Sequence, residues 1–471
     1  MTVHEIRGPE ALDRLGDVLL AGREGVDDAV ARAAAATISW AERPVAERAA
    51  TLELAADLLE PDAETLAELL AAESGKPIAQ ARGEVAGAIG LLRANAGEGR
   101  RSGGRVLPTE GNAGTERDLA FTRREPLGVV AAIVPFNFPA ELFVEKCAAA
   151  LVGGNTVVAK APIEDPLVIA RIHAALLQAG VPEDALALVH GGRETGARLA
   201  ADPRVDAVSL TGSTAAGVSV AEASARTLRP LHLELGGNNA CLVLDDADLE
   251  LVAQELAFGR LMMNGQACSA SKRILVDPSL HDELVDRLAA VARAQVIGPA
   301  NDPATTIGPL ITRAAAERVH AQVGRAASEG AEVAAGGEEP DGPFVAPTVL
   351  AEVPTDAAVA RDDEILGPVF AVIPVGGDAE RLRVANASSF GLMASVFTAD
   401  LERGLALAER LRAGGVVING TDNYRPPVIP FGGVGMSGTG REGVGYTLRD
   451  LTREKTIVLR RVRRGQSGVG P

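Results

Sequence analysis

The feature that most constrains the fold of this chain is an alternation of short hydrophobic runs with amphipathic stretches, which begins near residue 127. Runs of β-branched or small apolar residues stand at 129–134, 156–159, 186–190, 206–211 and 241–244. Strands buried on both faces have this composition, and helices between them produce βαβ units. The alternation therefore predicts a parallel sheet covered by helices, which binds ligands at the carboxyl ends of its strands.

A second alternation begins near residue 245, so we expect a second α/β unit. Its predicted elements are helix 247–263, strand 273–276, helix 279–295 and strands near 343–351, 368–375 and 415–419. Two further segments, 117–125 and 455–463, resemble strands that belong to neither unit. We expect them to form a small sheet that reaches a neighbouring subunit.

Two segments carry helix signals. Residues 27–74 have apolar residues at helical spacing, with breaks at Pro44 and Pro61. The segment 166–180 is also predicted to be helical, with Asp165 as its N-cap, because a short acidic side chain can accept hydrogen bonds from the free amides of a first turn.

Composition limits the classes of protein to which the chain can belong. With 471 residues and 47% hydrophobic residues, it is expected to form two or more well-buried domains. The net charge of −17 argues against nucleic acid or an anionic membrane as a partner. We find no apolar run that could span a bilayer and no apolar leader at the start. Three cysteines in a chain of this size do not make a disulfide framework, so we expect a cytoplasmic protein.

Cys268 is the candidate nucleophile. It lies in NGQACSASKR, where small neighbours leave room for a substrate and polar ones can solvate a thiolate. Cys147 and Cys241 lie in apolar surroundings on a predicted helix and a predicted strand. We interpret these two as buried and inert.

Two other polar residues fit the same chemistry. Asn137 follows the first strand and could donate its amide to an alkoxide, with the Cys268 main-chain N–H as the second donor. Glu234 ends a short strand, and partial burial there would raise its pKa and make it a general base for water. Taken alone, Asn137 also fits a turn residue, and Glu234 also fits a salt bridge at a strand end.

A series of short motifs runs along the whole chain. The motifs are ESGKP (73–77), PFNFP (135–139), GNTVVAK (154–160), LTGS (210–213), LELGG (233–237), GQAC (265–268), EILGPV (364–369), Asn419 and PFGGVGMSGTGREG (430–443). In this order they resemble the motifs of NAD(P)-dependent aldehyde dehydrogenases, and the similarity runs from about residue 5 to residue 463.

The resemblance implies a Rossmann-like parallel-sheet cofactor domain, a second α/β catalytic domain and a small β oligomerisation arm. The implied bounds are 1–105 with 127–236 for the cofactor domain, 237–440 for the catalytic domain, and 106–126 with 450–463 for the arm. It also implies that Cys268 attacks the aldehyde, that Asn137 helps to hold the alkoxide, and that Glu234 activates the water that hydrolyses a thioester. A glutamate at this position favours hydrolysis over transfer to coenzyme A.

For the cofactor, the resemblance implies that Lys160 meets the adenine ribose, Ser213 the pyrophosphate and Glu364 the nicotinamide ribose. Further implied contacts are Val134, Pro135, Phe136, Gly196, Thr211, Gly212, Leu235, Gly236 and Leu366. NAD and NADP both stay open, because Ile163 stands where NAD-preferring relatives often have glutamate, with Glu164 beside it. We favour NAD slightly, and no metal is expected.

A small polar aldehyde is the expected substrate, since aromatic residues make up only 3% of the chain and an aromatic tunnel is therefore not expected. The implied pocket residues are Phe138, Leu142, Glu145, Met262, Ala267, Ser269, Arg425 and Phe431. Arg425 could bind a hydroxyl, carboxylate or phosphonate, unless it pairs with Glu145 or only makes loop contacts. Succinic semialdehyde is the alternative substrate, and a cysteine-dependent esterase or acyl transferase is the alternative activity. A homodimer or homotetramer is expected.

Overall fold

The computed structural model describes residues 2–10 and 14–462. In this part of the chain, strands β1–β18 are, in order, Thr2–Arg7, Arg14–Leu20, Val106–Leu107, Leu119–Pro126, Val129–Ile133, Thr156–Ala161, Leu186–His190, Ala207–Thr211, Leu231–Glu234, Asn239–Val243, Ser271–Val276, Glu332–Ala335, Thr348–Ala351, Val369–Pro374, Met393–Phe397, Gly415–Ile418, Gly438–Thr439 and Thr452–Leu459. Helices α1–α14 are Arg23–Ala41, Val45–Leu59, Ala63–Ser74, Ile78–Arg101, Pro139–Val152, Leu167–Gln178, Arg193–Ala201, Thr214–Ser224, Leu249–Leu261, His281–Arg293, Arg313–Ser328, Asp378–Ala385, Leu401–Ala408 and Tyr446–Asp450.

The first sheet has the strand order β1-β2-β7-β6-β5-β8-β9-β17 among the described residues. Its strands β2 and β5–β9 run parallel, and β1 and β17 add antiparallel edges. In the central strand β5, Val129 and Ala131 pack in one apolar cluster with α1, whereas Val130 and Ala132 pack in another with α5. Successive side chains point to opposite faces of a strand, so a run without polar residues is what a doubly covered strand requires.

The second sheet has the order β12-β13-β14-β11-β10-β15-β16, with only the edge strand β12 antiparallel within the described ranges. Cys241 and Val243 of β10 pack on one face, and Ala240 and Leu242 pack on the other. The predicted strand 241–244 therefore belongs to the second sheet. The α/β class with parallel sheets is confirmed.

Most of the predicted elements are present. The five runs of the first alternation are strands, and the breaks at Pro44 and Pro61 separate α1, α2 and α3. The predicted N-cap Asp165 is wrong: the Asp165 carboxylate is fully buried without a hydrogen-bond partner among the described residues. Instead, the carboxylate of Glu73 accepts hydrogen bonds from the amides of Leu167 (2.7 Å) and Val168 (2.8 Å). A residue distant in sequence thus caps α6.

The third sheet is small and antiparallel, with the order β18-β4-β3. It contains the predicted outer strands 117–125 and 455–463, although residue 463 lies outside the described residues. Strand β17 lies inside the segment 237–440, yet it pairs with β9 in the first sheet. The domain bounds and the contact of the arm with a neighbouring subunit remain predictions. Among the helices of the described chain, none combines the length and the apolar character that crossing a membrane requires.

Candidate active site

The thiol loop, residues 262–268, connects α9 to β11. Met263, Asn264 and Gly265 have φ angles of 51°, 56° and 80°, a left-handed conformation that costs a non-glycine residue about 1–3 kcal/mol. The Asn264 side chain holds this conformation. Its Nδ2 donates to the main-chain oxygens of Gly75 (2.8 Å) and Pro309 (2.9 Å), and its Oδ1 accepts from the Gly308 amide (2.8 Å). The loop that carries Cys268 is therefore fixed by two distant segments.

Cys268 is half-buried, and its main-chain oxygen is pinned by two donors, Lys272 Nζ (2.7 Å) and Asn239 Nδ2 (3.1 Å). Burial, with smaller contributions from the negative charges of Glu364 and Glu234, raises the pKa of the Cys268 thiol to about 11. The positive charges of Lys272 and Arg425 oppose this rise. Hence the Cys268 thiol is protonated at neutral pH in the protein without a bound cofactor. Cys147 and Cys241 are free and fully buried, as predicted.

Asn137 lies between the end of β5 and the start of α5, and it is 8% exposed. Its Nδ2 donates to the main-chain oxygen of Gln266 at 3.0 Å, two residues before Cys268. Because an amide nitrogen has two hydrogens, one remains for a ligand. The structure thus brings the amide predicted to hold an alkoxide against the thiol loop.

Glu234 is the last residue of β9 and is 1% exposed. Neither carboxylate oxygen has a hydrogen-bond partner in the described part of the chain. Burial raises the pKa of Glu234 well above its usual range, and the nearby negative charge of Glu442 adds to the rise. A Cβ on Gly432 would lie 2.6 Å from the main-chain oxygen of Gly440 and 2.7 Å from Glu234 Oε1, so a larger residue would crowd the carboxylate. Burial without hydrogen-bond partners favours the protonated form of a carboxyl group, and a strongly shifted pKa of this kind is typical of functional sites.

Glu442 lies next to these groups, and the sequence analysis did not single it out. It is fully buried, and its Oε1 accepts from Lys146 Nζ (2.7 Å) while its Oε2 accepts from Arg425 Nη2 (2.6 Å). These cations hold the pKa of the Glu442 carboxyl well below its usual range despite burial. The pairing of Arg425 with Glu145 is wrong, because Glu145 instead accepts from the Gly443 amide and the Thr447 hydroxyl. In the sequence, Glu442 is visible only as an acidic residue inside the glycine-rich motif at 430–443.

The predicted pocket residues fall into two groups. Arg425 and Phe431 border the site: the Arg425 guanidinium lies 4.0 Å from the centre of the Phe431 ring, and Phe431 packs in one apolar cluster with Cys268. Phe138 follows Asn137, and its ring faces Lys76. In the other group, Leu142, Glu145 and Ala267 are buried, and Met262 is half-buried. The hydroxyl of Ser269 donates to Asn423.

The carboxyl edge of the first sheet carries the predicted cofactor residues. Val134, Pro135 and Phe136 follow β5, Thr211 and Gly212 follow from β8, Leu235 and Gly236 follow β9, and Gly196 lies in α7. Lys160 lies near the end of β6, and Ser213 caps α8 by accepting from the Ala216 amide (3.2 Å). Glu364 Oε1 accepts from the Gly237 amide and from Lys272 Nζ, both at 3.1 Å, and Leu366 lies two residues further along the same loop.

This edge fits a dinucleotide. At the end of β7, His190 Nδ1 is buried with no partner among the described groups, so a polar ligand atom can satisfy it. Burial lowers the pKa of His190 to about 4, with His173 and Lys160 adding to the shift, so the ring is neutral. The uncommitted amides at the start of α8 suit a pyrophosphate.

Comparisons with known proteins agree with this geometry. Residues 2–457 match the aldehyde dehydrogenase family. The chain is 39% identical over 431 residues to a succinate-semialdehyde dehydrogenase [NADP(+)] of Deinococcus radiodurans, which covers 91% of this chain and 89% of that one. It is 38% identical over 414 residues to a 3-sulfolactaldehyde dehydrogenase of Priestia aryabhattai, at 88% and 86% coverage. A crystal structure of an NAD-dependent aldehyde dehydrogenase from Sinorhizobium meliloti superposes with a TM-score of 0.94 at 34% identity, covering 100% of this chain and 93% of that chain.

Proposed function

The chain belongs to the aldehyde dehydrogenase family, whose members are NAD(P)-dependent oxidoreductases that act on aldehydes, and from this premise we propose that it converts a small polar aldehyde into its carboxylic acid through a covalent bond to Cys268. The observation that carries the proposal is the hydrogen bond from Asn137 to Gln266, because it ties an amide donor to the loop that carries Cys268, the one half-buried thiol among the described residues.

In the first step the Cys268 thiol releases its proton to solvent, with Lys272 and Arg425 favouring the thiolate. The sulfur bonds to the aldehyde carbon, and the carbonyl oxygen becomes an alkoxide. Asn137 Nδ2 and the Cys268 main-chain N–H donate to this alkoxide; a single donor of this kind typically contributes about 10²–10³ in rate. When bound, NAD or NADP supplies the hydride acceptor. The alkoxide then collapses to a thioester as the carbon loses its hydrogen.

In the second step Glu234 takes a proton from water, and the resulting hydroxide attacks the thioester carbon. The carbon–sulfur bond breaks, the thiolate leaves, and the acid is released. The raised pKa of Glu234 supports this role, because a stronger base takes the proton of water more readily. Lys146 and Arg425 neutralise Glu442 and so limit its repulsion of the charged base.

We propose that Arg425 contacts a polar or anionic group of the substrate. Its side chain is 31% exposed, and only Nη2 is bonded to Glu442, so the remaining guanidinium hydrogens stay available. Two of the similar proteins act on succinate semialdehyde and 3-sulfolactaldehyde by their names, and both aldehydes are short and anionic. Arginine binds carboxylates and sulfonates through paired donors.

The test is a substrate panel with each cofactor. Glycolaldehyde, lactaldehyde, succinic semialdehyde, sulfolactaldehyde, phosphonoacetaldehyde and benzaldehyde are assayed for kcat/KM with NAD and with NADP. We expect short polar aldehydes to exceed benzaldehyde, and Arg425→Met to lower kcat/KM for the anionic aldehydes more than for glycolaldehyde. Equal losses for charged and uncharged aldehydes would remove Arg425 from substrate recognition.

The proposal extends to assembly and location. We propose that the two large sheets mark the cofactor and catalytic domains and that the small sheet joins subunits into a homodimer or homotetramer. Exposed apolar residues on the small sheet, Val106, Leu119 and Val458, support this contact. Light scattering of Val458→Asp protein is expected to show smaller particles than the parent. A cytoplasmic location is proposed from the three free cysteines and is checked by cell fractionation.

A further inference from the structure

A buried ion pair lies just outside the groups that the mechanism uses. Lys76 and Glu84 each have side chains only 1% exposed, and their charged groups are in direct contact. Lysine and glutamate are rarely buried to this extent, because removing both charges from water costs several kcal/mol per ion. The pair lies where α3 leads into α4, in a segment (residues 75–84) that we name the bracket.

Lys76 holds the residue that carries the proposed oxyanion donor. Its Nζ donates to the main-chain oxygen of Asn137 at 2.9 Å and lies 4.0 Å from the centre of the Phe138 ring. A cation over an aromatic face is attracted to it. Lys76 therefore contacts Asn137 and the next residue, but neither the Asn137 amide nor the thiol.

Glu84 holds the helix that follows. Its Oε1 accepts from the amides of Ala140 (2.9 Å) and Glu141 (3.4 Å), in the first turn of α5. A negative charge is favourable at this end of a helix. The Asn137 main chain is thus held on one side by Lys76 and on the other by the helix that Glu84 caps.

The same bracket also holds the thiol loop. The main-chain oxygen of Gly75 accepts from Asn264 Nδ2 (2.8 Å), and Gln80 Oε1 accepts from the Met263 amide (2.7 Å). A Cβ on Gly75 would lie 2.5 Å from the Pro309 oxygen, so the contact is tight at this point. One segment therefore bonds both the loop with the amide and the loop with the thiol.

We propose that the Lys76–Glu84 pair is a positioning device that sets the Asn137 amide at its working distance from the Cys268 sulfur. This inference rests on the proposed oxyanion role of Asn137. A misplacement of about 1 Å at a reacting centre can cost about 10²-fold in rate. The pair acts through Asn137, so its removal is expected to have no effect of its own once the Asn137 amide is gone.

The test is a double variant, Lys76→Met/Glu84→Gln, which removes both charges of the pair together, so that neither is left buried without the other. The glutamine introduced by the second substitution keeps an oxygen that can accept from the Ala140 amide. Stopped-flow measurement of the first-turnover burst of reduced cofactor is expected to show a rate about 10–100-fold lower. The dissociation constant of the cofactor and the rate of Cys268 alkylation by iodoacetamide are expected to stay within about twofold, because these depend on the first-sheet edge and on Asn264.

The decisive comparison repeats the double variant in an Asn137→Ala background. If the pair works through Asn137, its removal there leaves the burst rate unchanged. A further loss of the same size would overturn the proposal. A normal burst rate in Asn137→Ala would overturn both the oxyanion role of Asn137 and the positioning role of the pair. A slow burst in Asn137→Ala together with a normal burst in the double variant would overturn only the positioning role.

Two variants control for damage to the fold. Glu84→Gln alone keeps the acceptor for α5 and is expected to give a smaller loss of about three- to tenfold, again absent in the Asn137→Ala background; a normal rate would contradict the proposal. Arg381→Met/Asp277→Asn removes a matched ion pair at the opposite edge of the second sheet. Its burst rate per folded molecule is expected to be normal, and a loss equal to that of the bracket variant would overturn the assignment.

Discussion

The two large sheets are alike in construction but differ at the ends of their strands. At the carboxyl edge of the first sheet, His190 Nδ1 and both oxygens of Glu234 lack partners among the described residues. At the carboxyl edge of the second sheet the charged groups satisfy one another. Asp277 pairs with Arg381, Asp245 and Asp378 pair with Arg403, and Asp246 accepts from Thr398.

The second sheet instead contributes its other edge to the site. Cys268 precedes β11, and Asn239 and Met393 begin β10 and β15. The candidate site therefore lies between the carboxyl edge of one sheet and the amino edge of the other. Two copies of one architecture can thus do different work, because a ligand edge needs unsatisfied polar groups. The charges at the second carboxyl edge are paired instead, and in these groups only Arg381 Nε is buried without a partner among the described residues.

The largest effect that tests this division is expected from Cys268→Ala. Turnover should vanish, because no other thiol in the chain is accessible. Cofactor affinity, measured by fluorescence titration, should stay within about twofold, since most of the predicted cofactor residues lie on the first sheet and Cys268 is not among them. Aldehyde oxidation at the normal rate in this variant would end the covalent scheme.

Glu234→Gln is expected to separate the two chemical steps. The first burst of reduced cofactor should appear, and steady-state turnover should then fall by about 10²–10⁴, the usual contribution of a general base. Rapid-quench detection of a protein-bound acyl group would identify the stalled species. A normal steady-state rate would remove Glu234 from the role of base.

The ionisation of Cys268 gives a smaller, graded effect. Since burial raises the pKa of the thiol to about 11, the thiolate fraction of the cofactor-free protein should rise about tenfold per pH unit below that value. The rate of iodoacetamide alkylation between pH 7 and 10 reports this rise. A plateau reached near pH 8 would show that the positive charges of Lys272 and Arg425 outweigh burial.

The smallest effect on catalysis is expected at the closed edge. Arg381→Met removes the ion pair with Asp277, whose carboxylate still accepts from the Ser279 amide and hydroxyl. The free energy of unfolding should fall by about 1–3 kcal/mol, because the carboxylate loses a charged donor. The value of kcat per folded molecule should not change. A reduced kcat alongside normal stability would mean that the second carboxyl edge takes part in the reaction.

Local patterns predicted most strands and some of the helices of the two α/β units, because buried parallel strands have a recognisable composition. The inner strand β15 was missed: its sequence MASVF is short and carries a serine that points into a covered sheet. The helices α11, α12 and α13 were not predicted either. The cap of α6 by Glu73 and the partner of Arg425 were also beyond prediction, since each joins residues that only the folded chain brings together.

The candidate site shows the same limit. Cys268, Glu234 and Asn137 stand in motifs and could be named from sequence, and their roles remain proposals. Glu442, Lys146 and Lys76 act through contacts across distant segments. A single sequence carries no sign of such contacts, because any charged residue in an amphipathic stretch has the same local pattern as a solvated one.

The hydrogen bonds of Asn264 have a consequence for how the protein is made. They join the thiol loop to Gly75 and to Gly308 and Pro309, so the left-handed turn cannot be held until Pro309 has left the ribosome and met the early helices. In a growing chain, Cys268 is therefore present before its loop has reached the conformation of the folded protein. The loop can take its final conformation only after folding has brought Gly75, Gly308 and Pro309 together around Asn264.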